Sequence, residues 1–470
     1  MPAVSVPDMA TNFFVAQTLV FISQSFTDHY SSALTVPQLM GIFGIMSASE
    51  TGGSIIGSFF LPCIVDRFGR KNTVFFIRNG LGLVGTLMQF FSVPSNSFEL
   101  MLAGNLVTGF GDALSQAVTI YLTECSPDCY RGAATLLGGV GGAIYFIISA
   151  FSAMPWALGR QDVWHYYFLF PVLPILIQMV IGYRFYESPK FLYINRRERN
   201  KARVAVRYYH GPNTDIDTLF EHYEKEWNLA QAEVNSSVSV IQILRTPHLR
   251  KPFLLCFALA GYPIYGGAAV SSAYINVIFR SIGLAQSASM WVIIANTVIS
   301  FFGLTCVAVF LVDKLGRRPI AFSGFFLAIL MSLGTFFARL LSRNSDGEVD
   351  VNGFVIGFIV FNSICSVLSS ATGADIIGAV LFAELSPQNA RARIFQICST
   401  TTSIGSFIFI SVFPPIYHVM GPYIFLVFVA FMLIAVTFFW IKLPETRNRP
   451  VDEIVSEWKP LCDIEDDSVL

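Results

Sequence analysis

Eleven apolar runs, each about the length of a bilayer crossing, dominate this 470-residue sequence. They cover residues 37–62, 73–91, 98–122, 133–155, 165–185, 252–279, 287–312, 320–341, 353–382, 394–417 and 423–441. A helix needs about 20 apolar residues to cross the hydrocarbon core. In lipid every backbone N–H and C=O must be satisfied internally, and isolated runs of this length can do that only as helices. The stretch 13–26 is a candidate twelfth span, but it is short and holds Gln17, Ser23 and Gln24. No basic residue precedes it, which argues against a signal peptide. Composition agrees: only 13% of residues are charged against 54% hydrophobic, whereas an ordinary soluble domain is about 25% charged. A net charge of −1 excludes a basic nucleic-acid surface, so no nucleic-acid partner is expected. The expectation is an all-α polytopic membrane protein whose partners are the lipid bilayer and a small-molecule solute.

Charge placement orients the spans. Of the 30 Lys and Arg, all but Arg160, Arg280, Arg339 and Arg343 fall in or beside the connections at 66–72, 124–131, 187–251, 313–318 and 384–393 and the tail from Lys442. Cytoplasmic loops carry the Lys/Arg excess, so that side is cytosolic. The segment before the first span has no Lys or Arg, which places it on the exoplasmic side. The chain then divides into an exoplasmic N-terminal segment (1–36), an N-terminal helical bundle (37–186), a cytosolic helical linker (187–251), a C-terminal helical bundle (252–443) and a cytosolic tail (444–470).

The two halves repeat one another. Asp66-Arg-Phe-Gly-Arg-Lys71 returns as Asp313-Lys-Leu-Gly-Arg-Arg318, and Glu124-Cys-Ser-Pro-Asp-Cys-Tyr-Arg131 returns as Glu384-Leu-Ser-Pro-Gln-Asn-Ala-Arg391. Glu187-Ser-Pro returns loosely as Pro444-Glu445-Thr446. Tandem halves are the trace of transporter folds in which two bundles rock about a midplane site. Each motif sets acids and bases at cytosolic helix ends, with Gly69 and Gly316 allowing tight turns. Asp66, Arg67, Arg70, Glu124, Arg131, Glu187, Asp313, Arg317, Arg318, Glu384, Arg391 and Glu445 are therefore the expected gating charge network. Such a network would hold the cytosolic face shut while the site opens outward.

These motifs resemble those of the sugar porter family of the major facilitator superfamily, the facilitative glucose and fructose carriers. The resemblance runs from about Pro37 to Glu457. It implies the major facilitator fold, two helical bundles of five or six plus six spans joined by a cytosolic helical loop, and solute movement by alternating access. It also exposes departures. Family members have twelve spans, and here the segment before Pro37 reads as the exoplasmic loop after the family's first helix, which would then be missing. The family's seventh-helix motif of amides, Ser and Gly falls on Pro263, Ile264, Gly266, Gly267 and Ala269, without its two Gln and its Asn. The fifth-helix Gln falls on Gly139, the tenth-helix Pro and Trp motif on residues 373–379, and the Arg that opens the fourth helix on Asn105. A sugar hydroxyl left unpaired costs about 1–3 kcal/mol, so other groups would have to replace the lost ones. Tyr262, Tyr265, Ser271 and Asn276 on the run 252–279, the counterpart of the family's seventh helix, and Thr402 on the run 394–417, the counterpart of its eleventh, are the candidates. Hydrogen bonding between helices is the competing use of the same groups.

Glu50, Asp112 and Asp375 lie within spans, where a carboxylate is costly and should face the cavity or another helix. The sequence names no counter-charge at their depth. They are candidate coupling acids. The expected function is facilitated diffusion of a small polar solute, a hexose or related sugar. The alternatives are a non-transporting sensor or partner-binding protein, and a proton-coupled symporter. Gly80-Leu-Gly-Leu-Val-Gly85 fits a nucleotide-binding pattern but lies inside a span, where small residues serve close helix packing. The eight Cys lack ligand spacing. No Walker loop, zinc-protease motif or nucleophile elbow is present, so no metal, no cofactor and no enzyme activity are expected. A multi-pass carrier of this kind is expected in the plasma membrane.

Overall fold

The computed structural model describes residues 15–30, 34–127, 131–154, 156–160, 163–212, 214–235, 240–282, 284, 286–303, 317–342, 353–372, 381 and 388–443. Every regular element among them is helical. The chain forms two compact units, one of residues 2–235 with 410–415, the other chiefly of 236–409 and 416–470.

In the first unit the helices are α1 (Val15–Tyr30), α2 (Val36–Phe68), α3 (Arg70–Ser92), α4 (Phe98–Ala113), α5 (Gln116–Cys125), α6 (Arg131–Ser152) and α7 (Val172–Gly182). The short α8 (Pro189–Ile194), then α9 (Arg199–His210) and α10 (Ile216–Asn235), follow the last span of this unit. Local chemistry sets several starts. Thr35 N donates to Gln38 Oε1 at 3.0 Å to open α2, and the Ser97 and Ser188 hydroxyls accept from the third residue of α4 and α8. α3 holds one π-helical turn at Thr73–Ile77. The run 98–122 is two helices, because Leu114 N and Ser115 N bond back only three residues, to Gly111 O and Asp112 O (3.1 and 2.9 Å).

Glycines let α2, α3 and α4 approach backbone to backbone. A Cβ at Gly53 would collide with Leu106 O, and one at Gly109 with Glu50 O. Gly85 likewise meets Thr108 and Gly104 O across α3 and α4. Small residues at helix crossings are how membrane helices gain van der Waals contact without a hydrophobic driving force.

The segment before Pro37 contains a helix rather than only a loop. α1 is stitched to the start of α4: Phe98 N donates to Ser25 Oγ (2.9 Å), Tyr30 OH to Glu99 Oε1 (2.8 Å) and Asn96 Nδ2 to Asp28. Phe21 and Ile22 are buried, with Phe21 edge-on to Trp164.

The second unit contains α11 (Val240–Arg245), α12 (Pro247–Ala260), α13 (Tyr262–Tyr265), α14 (Ala268–Ser281), α15 (Gln286–Gly303), α16 (Arg317–Leu341), α17 (Gly353–Thr372), α18 (Gln388–Met420) and α19 (Ile424–Lys442). Its core draws Phe253 and Cys256 from α12, Ile320 and Phe325 from α16, Cys398 from α18, and Met432 and Phe439 from α19. Phe325 and Phe439 stack at 5.2 Å. Leu433, Ile434 and Ile441 of α19 stay exposed, as lipid-facing side chains do.

Among the described residues six helical stretches are long and apolar enough to cross a membrane: Val36–Phe68, Arg70–Ser92, Trp164–Gly182, Arg250–Ile275, Arg318–Leu341 and Ile394–Lys442. The last joins two expected spans through the 3-10 turn Gly421–Tyr423, and the shorter apolar helices Ser287–Ile299 and Gly353–Ser369 fall on two more.

Candidate functional site

The motif residues of the first half converge at one end of the first unit. Gly69 ends α2 with φ +94° and ψ 167°, a conformation open to glycine, and turns the chain directly into α3. That turn brings the Arg70 guanidinium between two carboxylates: Nη1 lies 3.3 Å from Asp66 Oδ1 and Nε 3.2 Å from Glu124 Oε2. The Nε contact is a charge contact, off the line of a hydrogen bond. The guanidinium also lies over the Phe191 ring, 4.6 Å from its centroid. Arg70 and Glu124 are largely shielded from solvent, and Asp66 is exposed.

Glu187 completes the cluster from the chain segment after α7. Its Oε1 accepts Lys71 N (2.8 Å) and Ser188 N (3.0 Å), so it caps the start of α3. Carboxylates are favoured at helix N-termini, where backbone N–H groups are unpaired. Burial nevertheless pushes the Glu187 carboxyl above the ordinary range, and the N–H groups of Lys71, Ser188 and Arg70 and the Arg70 charge pull the other way. A Cβ at Gly69 would strike Glu187 Oε2. The glycine is thus required twice, for its φ and for this approach.

Side chains beyond the expected gate charges join the cluster. Ser188 Oγ donates to Glu124 Oε2, tying the Glu-Ser-Pro motif to the α5 end. Arg196 Nη2 donates to Arg67 O at 2.7 Å, while the Arg67 guanidinium lies 5.6 Å from the Phe68 ring centroid. The Tyr121 and Tyr209 hydroxyls are 2.7 Å apart and both within reach of Tyr186 O, joining α5, α9 and the chain after α7. Tyr121 lies three residues before Glu124 on one helix, and that spacing is the signal that marks it.

Of the other expected gate residues, Asp313, Glu384 and Glu445 lie outside the described residues. Arg131 and Arg317 open helices and Arg391 lies in the first turn of α18, but their side chains are outside the description as well. Arg318 Nη2 donates to Trp440 O at 2.7 Å, and its guanidinium lies over the Trp440 ring at 5.5 Å.

The span 252–279, which the resemblance matches to the family's seventh helix, is interrupted at Gly261 and Gly267. α12 stops at Gly261, α13 is a single turn, and Gly267 reverses to φ +71° before α14. Pro263 lacks an N–H, and Ile264 N turns back to Gly261 O, so Ala260 O loses its helical donor. Thr402 Oγ1 from α18 reaches that carbonyl at 2.7 Å and Cys398 O at 2.8 Å. Tyr265 OH donates to Ala258 O at 2.8 Å. Two of the candidate solute contacts therefore hold the break together. Tyr262 packs edge-on to Phe325. Ser271 is half-buried, its N–H on Gly267 O. The Asn276 side chain is outside the described residues.

Among the intramembrane acids, Glu50 is buried at the α2–α4 crossing. Asp112 lies in the last turn of α4, and the Arg78 carbonyl of α3 faces Gly111 beside it. Asp375 lies outside the described residues. Asn105, where the resemblance sets an Arg, is buried in a different use: Gln89 Nε2 donates to its Oδ1 (2.8 Å), and its Nδ2 donates to Met46 O (3.1 Å), linking α3, α4 and α2.

The family model described as Sugar (and other) transporter matches residues 9–458. The chain is similar to solute carrier family 2, facilitated glucose transporter member 3, of Ovis aries, at 28% identity over 88% of this chain and 82% of that protein. The same transporter of Homo sapiens is 26% identical over 92% of this chain and 85% of its own. Among solved structures, the inward open conformation of the xylose transporter XylE from E. coli superposes with a TM-score of 0.72 at 17% identity, covering 97% of this chain and 98% of that one.

Proposed function

Because the chain belongs to the Sugar (and other) transporter family, we propose that it carries a hexose or related sugar across the membrane by facilitated diffusion, through alternating access. The observation that carries the mechanism is the Arg70 cluster, where one guanidinium contacts Asp66 and Glu124 at 3.3 and 3.2 Å and stands beside Glu187. A set of partly shielded charges at cytosolic helix ends can form and dissolve in discrete steps, as a two-state element must. The relatives named as facilitated glucose transporters support a hexose as the solute. Gate charges, solute contacts and the five-part division of the chain are parts of this proposal.

The solute site is read from the broken span 252–279. An interrupted helix at a repeat interface presents backbone groups that can meet a polar solute. Here Thr402 and Tyr265 stabilise the break, and Tyr262, Ser271 and Asn276 are the side chains assigned to the solute. The test is radiolabelled uptake of glucose, fructose and myo-inositol into proteoliposomes holding the full chain, with Arg70→Ala as control. Saturable uptake of one of them, impaired at least tenfold by the substitution, supports the proposal. No uptake of any from a folded sample favours the non-transporting reading. Uptake abolished by a protonophore favours the symporter.

A further inference from the structure

The cytosolic helix α9 has two faces with different partners. Ala202, Ala205 and Val206 are fully buried on one, and Tyr209 on that side reaches Tyr121 and Tyr186. The opposite face carries Val204 and Tyr208, one turn apart and about half exposed, with Arg207 beside them. The Tyr208 ring lies 5.0 Å from the ring of Tyr186, which is itself exposed. Tyr186 follows closely on the membrane-crossing stretch Trp164–Gly182, and Tyr183 and Arg184 leave that stretch exposed. The Tyr186–Tyr208 contact therefore holds the outer face of α9 at the level where the chain leaves the bilayer. Rings with one apolar and one wet end favour that level.

On the side of α9 facing α10, Arg199 approaches Glu224 and Arg203 approaches Asp217 (3.5 and 3.3 Å). Lys201 pairs with Glu198 at 2.8 Å. Arg184 and Arg207 make no ion pair among the described residues. Acids of the loop thus pair cations on the side facing α10, while Arg207 stands between exposed Val204 and Tyr208 in the chain and Arg184 two residues before exposed Tyr186.

We propose that Val204, Arg207 and Tyr208 of α9, with Tyr186 and Arg184, form a docking surface for anionic phospholipid of the cytosolic leaflet. The rings and Val204 enter the headgroup layer, and the two guanidinium groups meet phosphate or carboxylate. Surface cations near an anionic leaflet each strengthen binding about fivefold, so the two together set the preference.

The test uses the purified full chain in detergent, titrated with fluorescent phosphatidylserine and, separately, phosphatidylcholine. Tighter binding of phosphatidylserine, by about fivefold for its one extra negative charge, is the expected result. The Arg184→Gln/Arg207→Gln variant should lose that preference, and the Arg184→Lys/Arg207→Lys variant should keep most of it. Tyr208→Ser should weaken both lipids alike. Soluble glycerophosphoserine should not displace the lipid. Equal binding of the two lipids by the unaltered chain, an undiminished preference in the Gln variant, or displacement by the soluble headgroup at matching concentration each overturns the proposal.

Discussion

At Gly69 a single hydrogen side chain is required by both backbone and neighbour. Gly69→Ala must adopt φ near +94° and displace the Glu187 carboxylate. Such a backbone position costs a non-glycine residue about 1–3 kcal/mol, so the variant should melt several degrees lower in detergent. Arg70→Ala should cost about 1.5–3 kcal/mol, because it strands the shielded Glu124 and removes the cover on Phe191. Its readout is the same melt together with uptake. Glu187 carries the pH prediction. Its folded carboxyl titrates above its ordinary value of 4.5, so the folded state holds the proton more tightly than the unfolded chain. Stability from this group is full below the unfolded value and is lost as pH rises through the folded one. Glu187→Gln keeps an oxygen for Lys71 N and Ser188 N but cannot ionise. The difference in melting temperature between native chain and variant should therefore move against the native chain as pH is raised from about 4.5. A difference that stays flat with pH would show that burial does not govern this carboxyl.

Between helices, contact distance is set by glycines. Gly53 and Gly109 each face a backbone carbonyl across the α2–α4 crossing. Gly53→Val should therefore force the helices apart and cost about 1–3 kcal/mol or prevent folding. Gly41→Ala on the same helix has open space around it and should be neutral or slightly stabilising. Both are read by yield of monodisperse protein and by melting. The break in the span 252–279 gives a second prediction. Thr402→Val leaves Ala260 O without its side-chain donor and should cost about 1–3 kcal/mol, while Thr402→Ser should cost far less. The apolar runs foretold most helices, because run length and hydrophobicity are local properties. They foretold neither the turn at Leu114–Ser115 nor the interruption at Gly261 and Gly267. An apolar run reads the same whether its helix is continuous or broken, and only a cross-helix donor such as Thr402 makes the break stable.

For the whole molecule, the family model covers residues 9–458, and carriage by two bundles predicts behaviour that no single element would show. Saturable uptake should proceed in either direction down the solute gradient and be unchanged by collapse of a pH gradient. Accumulation against the solute gradient would instead assign the coupling role to Glu50 or Asp112. The α1 helix bears on this scale too. Ser25, Asp28 and Tyr30 bind the start of α4, although α1 carries polar residues that weakened its reading as a span. Deleting it should destabilise the first unit, measured as lower yield and earlier melting.

The sequence by itself determined the membrane-embedded helical class, the duplicated motifs and the family resemblance. Each follows from residue type or spacing, which need no partner to be read. Only the tertiary structure decided what those residues touch. It placed Arg70 between Asp66 and Glu124, set Glu187 over the start of α3, turned Asn105 into a three-helix hydrogen-bond junction, and engaged Thr402 with the freed carbonyl of Ala260. These contacts join residues far apart in the chain, and a polar side chain in a bilayer takes whichever partner packing brings to it. Spacing can identify such a group, but not the partner it finds.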